Sequence, residues 1–193
     1  MSERRGDITR RTKETDIEAT LDLEGGEVAI SSGIGFFDHM LTALGVHSGF
    51  GLRVSCKGDL EVDGHHTAED IGIALGQAFS RAIGDKKGIA RYGSFYIPMD
   101  EALAFCSLDI SGRAFLVFDA DFPQWRCGEF DCCLTEEFFR AFAMNAGVTL
   151  HIKSLYGHNS HHIIEAIFKA VAHALKAACK IEYEGTLSTK GVL

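Results

Sequence analysis

The 193-residue chain carries nine histidines, four of them in two adjacent pairs. His65-His66 lies in DGHHTAED and His161-His162 in GHNSHHIIEA, and a glutamate follows each pair at the same distance, Glu69 and Glu165. The motif HHxxE thus occurs twice, the copies 161 − 65 = 96 residues apart, half the chain. Residues four apart share a helix face, so His65 with Glu69, and His161 with Glu165, can each converge on one ion. His66 and His162 point about 100° away from their neighbours and serve a different ion or none. Such mixed imidazole and carboxylate sets suit zinc, manganese or iron. They do not suit magnesium, which prefers oxygen alone. His47, His151 and His173 stand singly beside apolar runs and read as structural.

Each pair is preceded by a short Phe-rich helix that should supply a further ligand. His39, in GFFDHMLTALG, lies 65 − 39 = 26 residues before the first pair. Glu137, in TEEFFRAFAMNAG, lies 161 − 137 = 24 residues before the second and holds the matching place. A dinucleotide loop at Gly33-Ile34-Gly35 is a weak reading, because Asp38 stands where the third glycine is needed.

The surroundings repeat as well. Ile71, Ala74, Leu75, Ala78, Phe79 and Ala82 recur at threes and fours, as do Ile164, Ile167, Phe168, Val171 and Leu175, so a helix follows each motif. The upstream helices are expected to end near Gly45 and Gly147, and alternating strands follow at 52–56 and 148–154. Leading strands fall at 16–23 and 27–31 in one half and at 102–110 and 114–119 in the other. The expectation is an α+β fold of two packed halves, 1–92 and 93–193, sharing one core.

Composition narrows the partners. With 46% hydrophobic and 24% charged residues the chain reads as an ordinary globular protein, and no apolar run approaches the roughly 18 residues of a membrane span. Residues 1–16 are polar and lack an apolar signal core. The net charge of −8 disfavours a nucleic-acid surface. Six cysteines without a CxxC pair read as reduced thiols of a cytoplasmic protein.

The series RRTKET, FFDHML, HHTAEDIGIALG, DEAL, SLDISGR, HNSHHIIEAIFKA and STKGVL resembles the imidazoleglycerol-phosphate dehydratase family of histidine biosynthesis, in its monofunctional form, over residues 4–193. The resemblance implies duplicated halves like the second domain of ribosomal protein S5, each a four-stranded sheet with two helices on one face. It implies dehydration of imidazole glycerol phosphate to imidazole acetol phosphate with two manganese ions per site. It also implies a homo-oligomer, trimers assembled into a 24-subunit shell with sites completed by neighbouring subunits. By motif, the metal ligands are His39, His65, His66, Glu69, His161, His162 and Glu165. Glu137 takes the place that is often histidine in the family's EHFF segment. Gly35 replaces a usual proline, and His158 a usual Glu or Lys.

The same resemblance assigns the phosphate to Arg91, Arg113, Lys169, Ser188 and Lys190, arginine gripping it with two parallel bonds and lysine acting as a point charge. Glu14 of TKET matches the family's acid–base glutamate and touches substrate, with His65, Glu69, His161 and Glu165 at the catalytic metals. The imidazole ring is then the electron sink. As a metal-stabilised imidazolate it can expel the neighbouring hydroxyl, or spread the charge of proton loss, by way of a diazafulvene. A metal-storage shell could use the HHxxE pairs too, but needs neither Glu14 nor Arg91, Arg113 and Lys190.

Overall fold

The computed structural model describes residues 4–190. Residues 1–3 and the Gly191–Leu193 end of STKGVL lie outside the described residues. The elements run β1 (Arg5–Arg11), β2 (Thr15–Asp22), β3 (Val28–Ser31), α1 (Gly35–Ser48), β4 (Gly51–Gly58), α2 (His65–Ile83), β5 (Tyr92–Met99), β6 (Ala102–Asp109), β7 (Phe115–Asp119), β8 (Arg126–Cys127), β9 (Phe130–Asp131), α3 (Leu134–Ala146), β10 (Thr149–Tyr156) and α4 (Ser160–Cys179). Two four-stranded sheets have the same plan, β1-β2-β4-β3 and β5-β6-β10-β7. In each, one strand runs parallel to its neighbour, β3 to β4 and β7 to β10, and the other pairings are antiparallel.

Alternation explains the inner strands. Thr15, Ile17, Ala19 and Leu21 of β2 are buried, as are Ala102, Ala104, Cys106 and Leu108 of β6, while the residues between them are not. That period of two lays one face of each sheet under helices. The outermost strands β1 and β5 escaped the pattern reading. RGDITRR offers Ile8 as its one apolar residue, and YGSFYIPM contains Pro98, which an edge strand tolerates and a central one does not.

The helices cross between halves, α1 on α4 and α2 on α3. Gly72 and Gly76 make the second crossing close. A Cβ at Gly72 would come within 2.6 Å of the Phe138 carbonyl oxygen, and one at Gly76 within 2.6 Å of that of Phe142. Phenylalanines tie three helices and the small hairpin into one core. Phe37 stacks on Phe130 at 5.4 Å and meets Phe138 edge-on at 5.3 Å, and Phe138 stacks on Phe168 at 5.5 Å. All four rings are fully buried.

Two expectations change. Helix α1 does not stop near Gly45 but runs on to Ser48, and Gly49 (φ 75°) closes it, its N–H donating to the Gly45 carbonyl at 3.0 Å. Gly45 stays inside because Val28 and Leu52 press on it, leaving no room for a Cβ. The repeat offset is also not uniform. Gly6 approaches the Ala78 carbonyl as Gly93 approaches that of Ala174, an offset of 93 − 6 = 87 in the leading strands against 174 − 78 = 96 in the long helices. The glycines capping α1 and α3, Gly49 and Gly147, are 147 − 49 = 98 apart. The chain between β7 and α3, which carries the β8–β9 hairpin, supplies the extra residues.

Candidate functional site

Helix crossing places one half's histidine on the other half's motif. His39 of α1 meets His161 and Glu165 of α4, with one donor atom from each residue within 4.8 Å of the others. Nε2 of His161 lies 3.3 Å and Nε2 of His39 3.5 Å from Oε2 of Glu165. The histidines are half-exposed and Glu165 is buried. Burial alone would raise the Glu165 carboxyl, but Lys169, with His39 and His161, more than offsets it and holds the group below the ordinary range. Among the described residues this is the one group of three such donors.

Its repeat counterpart is His65, Glu69 and Glu137. His39 and Glu137 each stand ten residues (49 − 39 and 147 − 137) before the left-handed glycine that caps the helix. His65 Nε2 lies 3.8 Å from Glu69 Oε2, one turn along α2. Glu137 does not join them in a three-donor group. Its carboxylate is drawn instead toward Nε of Arg140 at 3.7 Å, one turn on, and Arg140 also engages Glu136.

The second histidine of each pair faces away from its partner, as helix geometry requires. Nδ1 of His66 lies 3.0 Å from Asp59 Oδ2, and its Nε2 3.8 Å from Glu14 Oε1. Nδ1 of His162 lies 2.6 Å from Glu101 Oε2, and its Nε2 3.7 Å from Asp100 Oδ2. These carboxylates raise both imidazoles above their usual pKa, Asp59 for His66 and Glu101 for His162. Glu101 itself is pulled down to about 2, by His162 first and by the backbone N–H groups of His158 and Asn159. Asn159 caps α4, its side-chain oxygen accepting from the N–H of His161 at 2.9 Å.

The phosphate candidates divide. Arg91, Arg113, Ser188 and Lys190 line one open cavity of about 820 Å³, with Tyr92, Thr186, Leu187 and Thr189. Buried Arg91 forks onto Asp109, Nε to Oδ1 at 2.7 Å and Nη2 to Oδ2 at 3.1 Å, and Nη1 donates to the Leu187 carbonyl at 2.6 Å. That last bond ties the C-terminal segment over the cavity floor. Exposed Arg113 leans on the same Asp109 at 3.4 Å. Lys169 is not there. It lies on α4, 2.6 Å from Oε1 of Glu165.

Sequence reasoning missed Asp59, Glu101, Asp109, Gln124 and Arg126. Glu101 sat in the DEAL segment without a role. Gln124, Arg126, His158, His161 and His162 share a second cavity of about 530 Å³ beside Glu101. Gln124 and Arg126 lie in the hairpin region, for which the first half offers no counterpart. His47 and His173 face each other across α1 and α4 with ring centroids 5.5 Å apart, tilted at 58°.

Comparison with known proteins gives the same family from three directions. The family model described as imidazoleglycerol-phosphate dehydratase matches residues 32–175. The imidazoleglycerol-phosphate dehydratase of Clostridium kluyveri is 54% identical over 191 residues, covering 97% of this chain and 98% of that one. The enzyme of that name from Rhodopseudomonas palustris is 58% identical over 190 residues, 96% of each. Among solved structures, imidazoleglycerol-phosphate dehydratase from Staphylococcus aureus superposes with a TM-score of 0.83 at 44% identity, covering 90% of this chain and 97% of that one. The Pyrococcus furiosus structure, in complex with (S)-C348, superposes at 0.85 with 40% identity, covering 96% and 100%. The chain therefore belongs to the imidazoleglycerol-phosphate dehydratase family of hydro-lyases.

Proposed function

We propose that this protein dehydrates D-erythro-imidazole glycerol phosphate to imidazole acetol phosphate in histidine biosynthesis, using two manganese ions per active site. The observation that carries the reading is the convergence of His39, His161 and Glu165 from opposite halves in a chain that also builds an arginine-rich cavity. The donor set fits the metal, since imidazole with carboxylate suits manganese, zinc or iron, and Glu165 is kept deprotonated and ready to ligate. His39, His161 and Glu165 would hold one ion; His65, Glu69 and Glu137 are the repeat-related set, and His66 and His162 complete the ligands. When bound, manganese would supply Lewis acidity to the imidazole ring of the substrate.

The protein's own groups do the rest. Arg113, Lys190 and the Ser188 hydroxyl meet the phosphate, with Arg91 holding the wall behind them. Lys169, whose ammonium sits on Glu165, meets the phosphate of a substrate bound across a subunit boundary. Glu14, half-exposed and facing Nε2 of His66, carries the proton between the substrate's side chain and the departing hydroxyl. Loss of hydrogen and hydroxyl leaves an enol, which becomes the ketone.

The reading includes assembly as a 24-mer of trimers with sites at subunit boundaries. Phe115, Val117, Tyr96 and Tyr156 stand exposed on the second sheet, interspersed with polar pairs such as Ser94–Ser107 and Lys153–Asp119, a mixed face that a neighbouring chain could cover. It also includes the cytoplasm, in keeping with six free cysteines. The test is turnover of Glu14→Gln. It should keep manganese and substrate binding and lose about 10²- to 10⁴-fold in kcat. An unchanged kcat removes Glu14 from the reaction.

A further inference from the structure

The duplication puts one glutamate in each leading turn, and the structure uses the two differently. Gly58 abuts Thr15 and Thr67, while Gly157 abuts Ala102 and Ile163. Thr15 therefore corresponds to Ala102, and the residues just before them, Glu14 and Glu101, correspond to each other. Thr67 and Ile163 correspond likewise, each two residues after the first histidine of its pair. The residues after the glycines, Asp59 and His158, are the third matched pair.

In the first half Asp59 occupies Nδ1 of His66. Glu14 is left beside Nε2 at 3.8 Å. In the second half the residue at Asp59's place is His158, which cannot accept from an imidazole N–H as a carboxylate does. Glu101 takes over. Its Oε2 meets Nδ1 of His162 at 2.6 Å, and its Oε1 accepts the backbone N–H groups of His158 at 3.1 Å and Asn159 at 2.9 Å. Both carboxylate oxygens are thus spent. A carboxylate offers only acceptors, so the Nδ1 facing it carries the proton, and in the neutral ring Nε2 presents its lone pair.

We propose that Glu101 is a positioning residue: it fixes His162 as the Nδ1-protonated imidazole with Nε2 free for a metal, as Asp59 does for His66, and this division leaves Glu14 free to move protons. The role of Nε2 rests on the metal reading above; the tautomer does not. Hydrogen-bonded carboxylates behind ligating histidines set ring orientation and raise ligand basicity, and their removal costs metal affinity.

Glu101→Gln tests this with little change of shape. The amide oxygen stays at Oε1, held by two backbone N–H groups, so the NH₂ faces Nδ1 of His162. That inverts the demand on the ring, placing the proton on Nε2. The measurement is solid-state ¹⁵N NMR of histidine-labelled, metal-stripped protein at about pH 9, above the ordinary imidazole range, with His162 identified by its absence in His162→Gln. The expected result is protonated Nδ1 in the wild type, protonated Nε2 in Glu101→Gln, and an unaltered ring in Glu14→Gln. Manganese titrated into the same samples should bind about 10- to 100-fold more weakly at one site in Glu101→Gln and normally in Glu14→Gln. A His162 tautomer that does not move in Glu101→Gln overturns the role of Glu101. Wild-type protein that takes up no manganese overturns the metal reading instead, whatever the tautomer shows.

Discussion

The carboxylate of Glu165 is shared between two kinds of partner: Lys169 holds Oε1 at 2.6 Å, while His161 and His39 meet Oε2 at 3.3 and 3.5 Å. One buried group thus joins the candidate metal cluster to a cation the family resemblance assigns to phosphate. Burial pushes Glu165 up in pKa, and Lys169 is the leading influence pulling it down again. Lys169→Met should destabilise the metal-free protein at neutral pH by about 1–3 kcal/mol. A group depressed in the folded state gives stability above its unfolded value, about 4.3 for glutamate, and loses it as pH falls through the folded value. Melting curves should therefore show the gap between wild type and variant closing below about pH 4. A gap that persists at acid pH contradicts this account.

Arg91 predicts a second effect. It is a non-glycine residue at φ 73°, held there by the fork onto Asp109 and the bond to Leu187. Lysine keeps the charge but cannot reproduce the fork. In Arg91→Lys the segment Thr186–Lys190 should loosen over its cavity. KM for the phosphorylated substrate should rise at least about tenfold, with a smaller change in kcat, alongside a loss of about 1–3 kcal/mol in stability. Steady-state kinetics and thermal melts check both.

The α2–α3 crossing gives a stability contrast between glycines. Gly76→Val places carbon against the Phe142 carbonyl and the Asn145 side chain, and should cost about 1–3 kcal/mol by overpacking. Gly35→Ala, at the start of α1 with open space around it, should be neutral or stabilising by under about 1 kcal/mol, since alanine is the better helix former. Chemical denaturation of both variants decides the matter.

Glu137 predicts a change of metal. If it stands where His39 stands in the other half, Glu137→His gives the His65–Glu69 set a second imidazole and frees Arg140 from one partner. Softer nitrogen ligation favours zinc over manganese. Competition between the two metals on stripped protein should shift several-fold toward zinc. An unchanged preference removes Glu137 from the ligand set.

The HHxxE copies, their helices and the matching place of Glu137 were legible because helical spacing is local and the repeat doubled every signal. The edge strands β1 and β5 were not, since an edge needs little apolar alternation and tolerates charge and proline. The C-terminal end of α1 misled: Gly45 resembles a cap in sequence, yet it serves the close approach of Val28 and Leu52. Convergence of His39 on Glu165 depends on helices crossing between halves, which no spacing within one half reveals. Glu101 stayed hidden because it acts through a hydrogen bond to His162, 61 residues away, and Asp59 because the loop between β4 and α2 that folds it back onto His66 has no helical or strand period. Lys169 was grouped with the phosphate residues by motif, although it follows Glu165 by four residues on α4 and its ammonium meets that carboxylate at 2.6 Å.

The central claim is that the His39–His161–Glu165 cluster joining the two halves, with its repeat-related set at His65 and Glu69, holds metal required for dehydration. The most direct test strips the enzyme with chelator, titrates manganese back, and follows bound metal per chain together with conversion of imidazole glycerol phosphate. The account predicts negligible turnover without metal, full turnover at about two ions per chain, and loss of one ion in His39→Ala. Full turnover by the stripped enzyme, or two ions retained by His39→Ala, would contradict it.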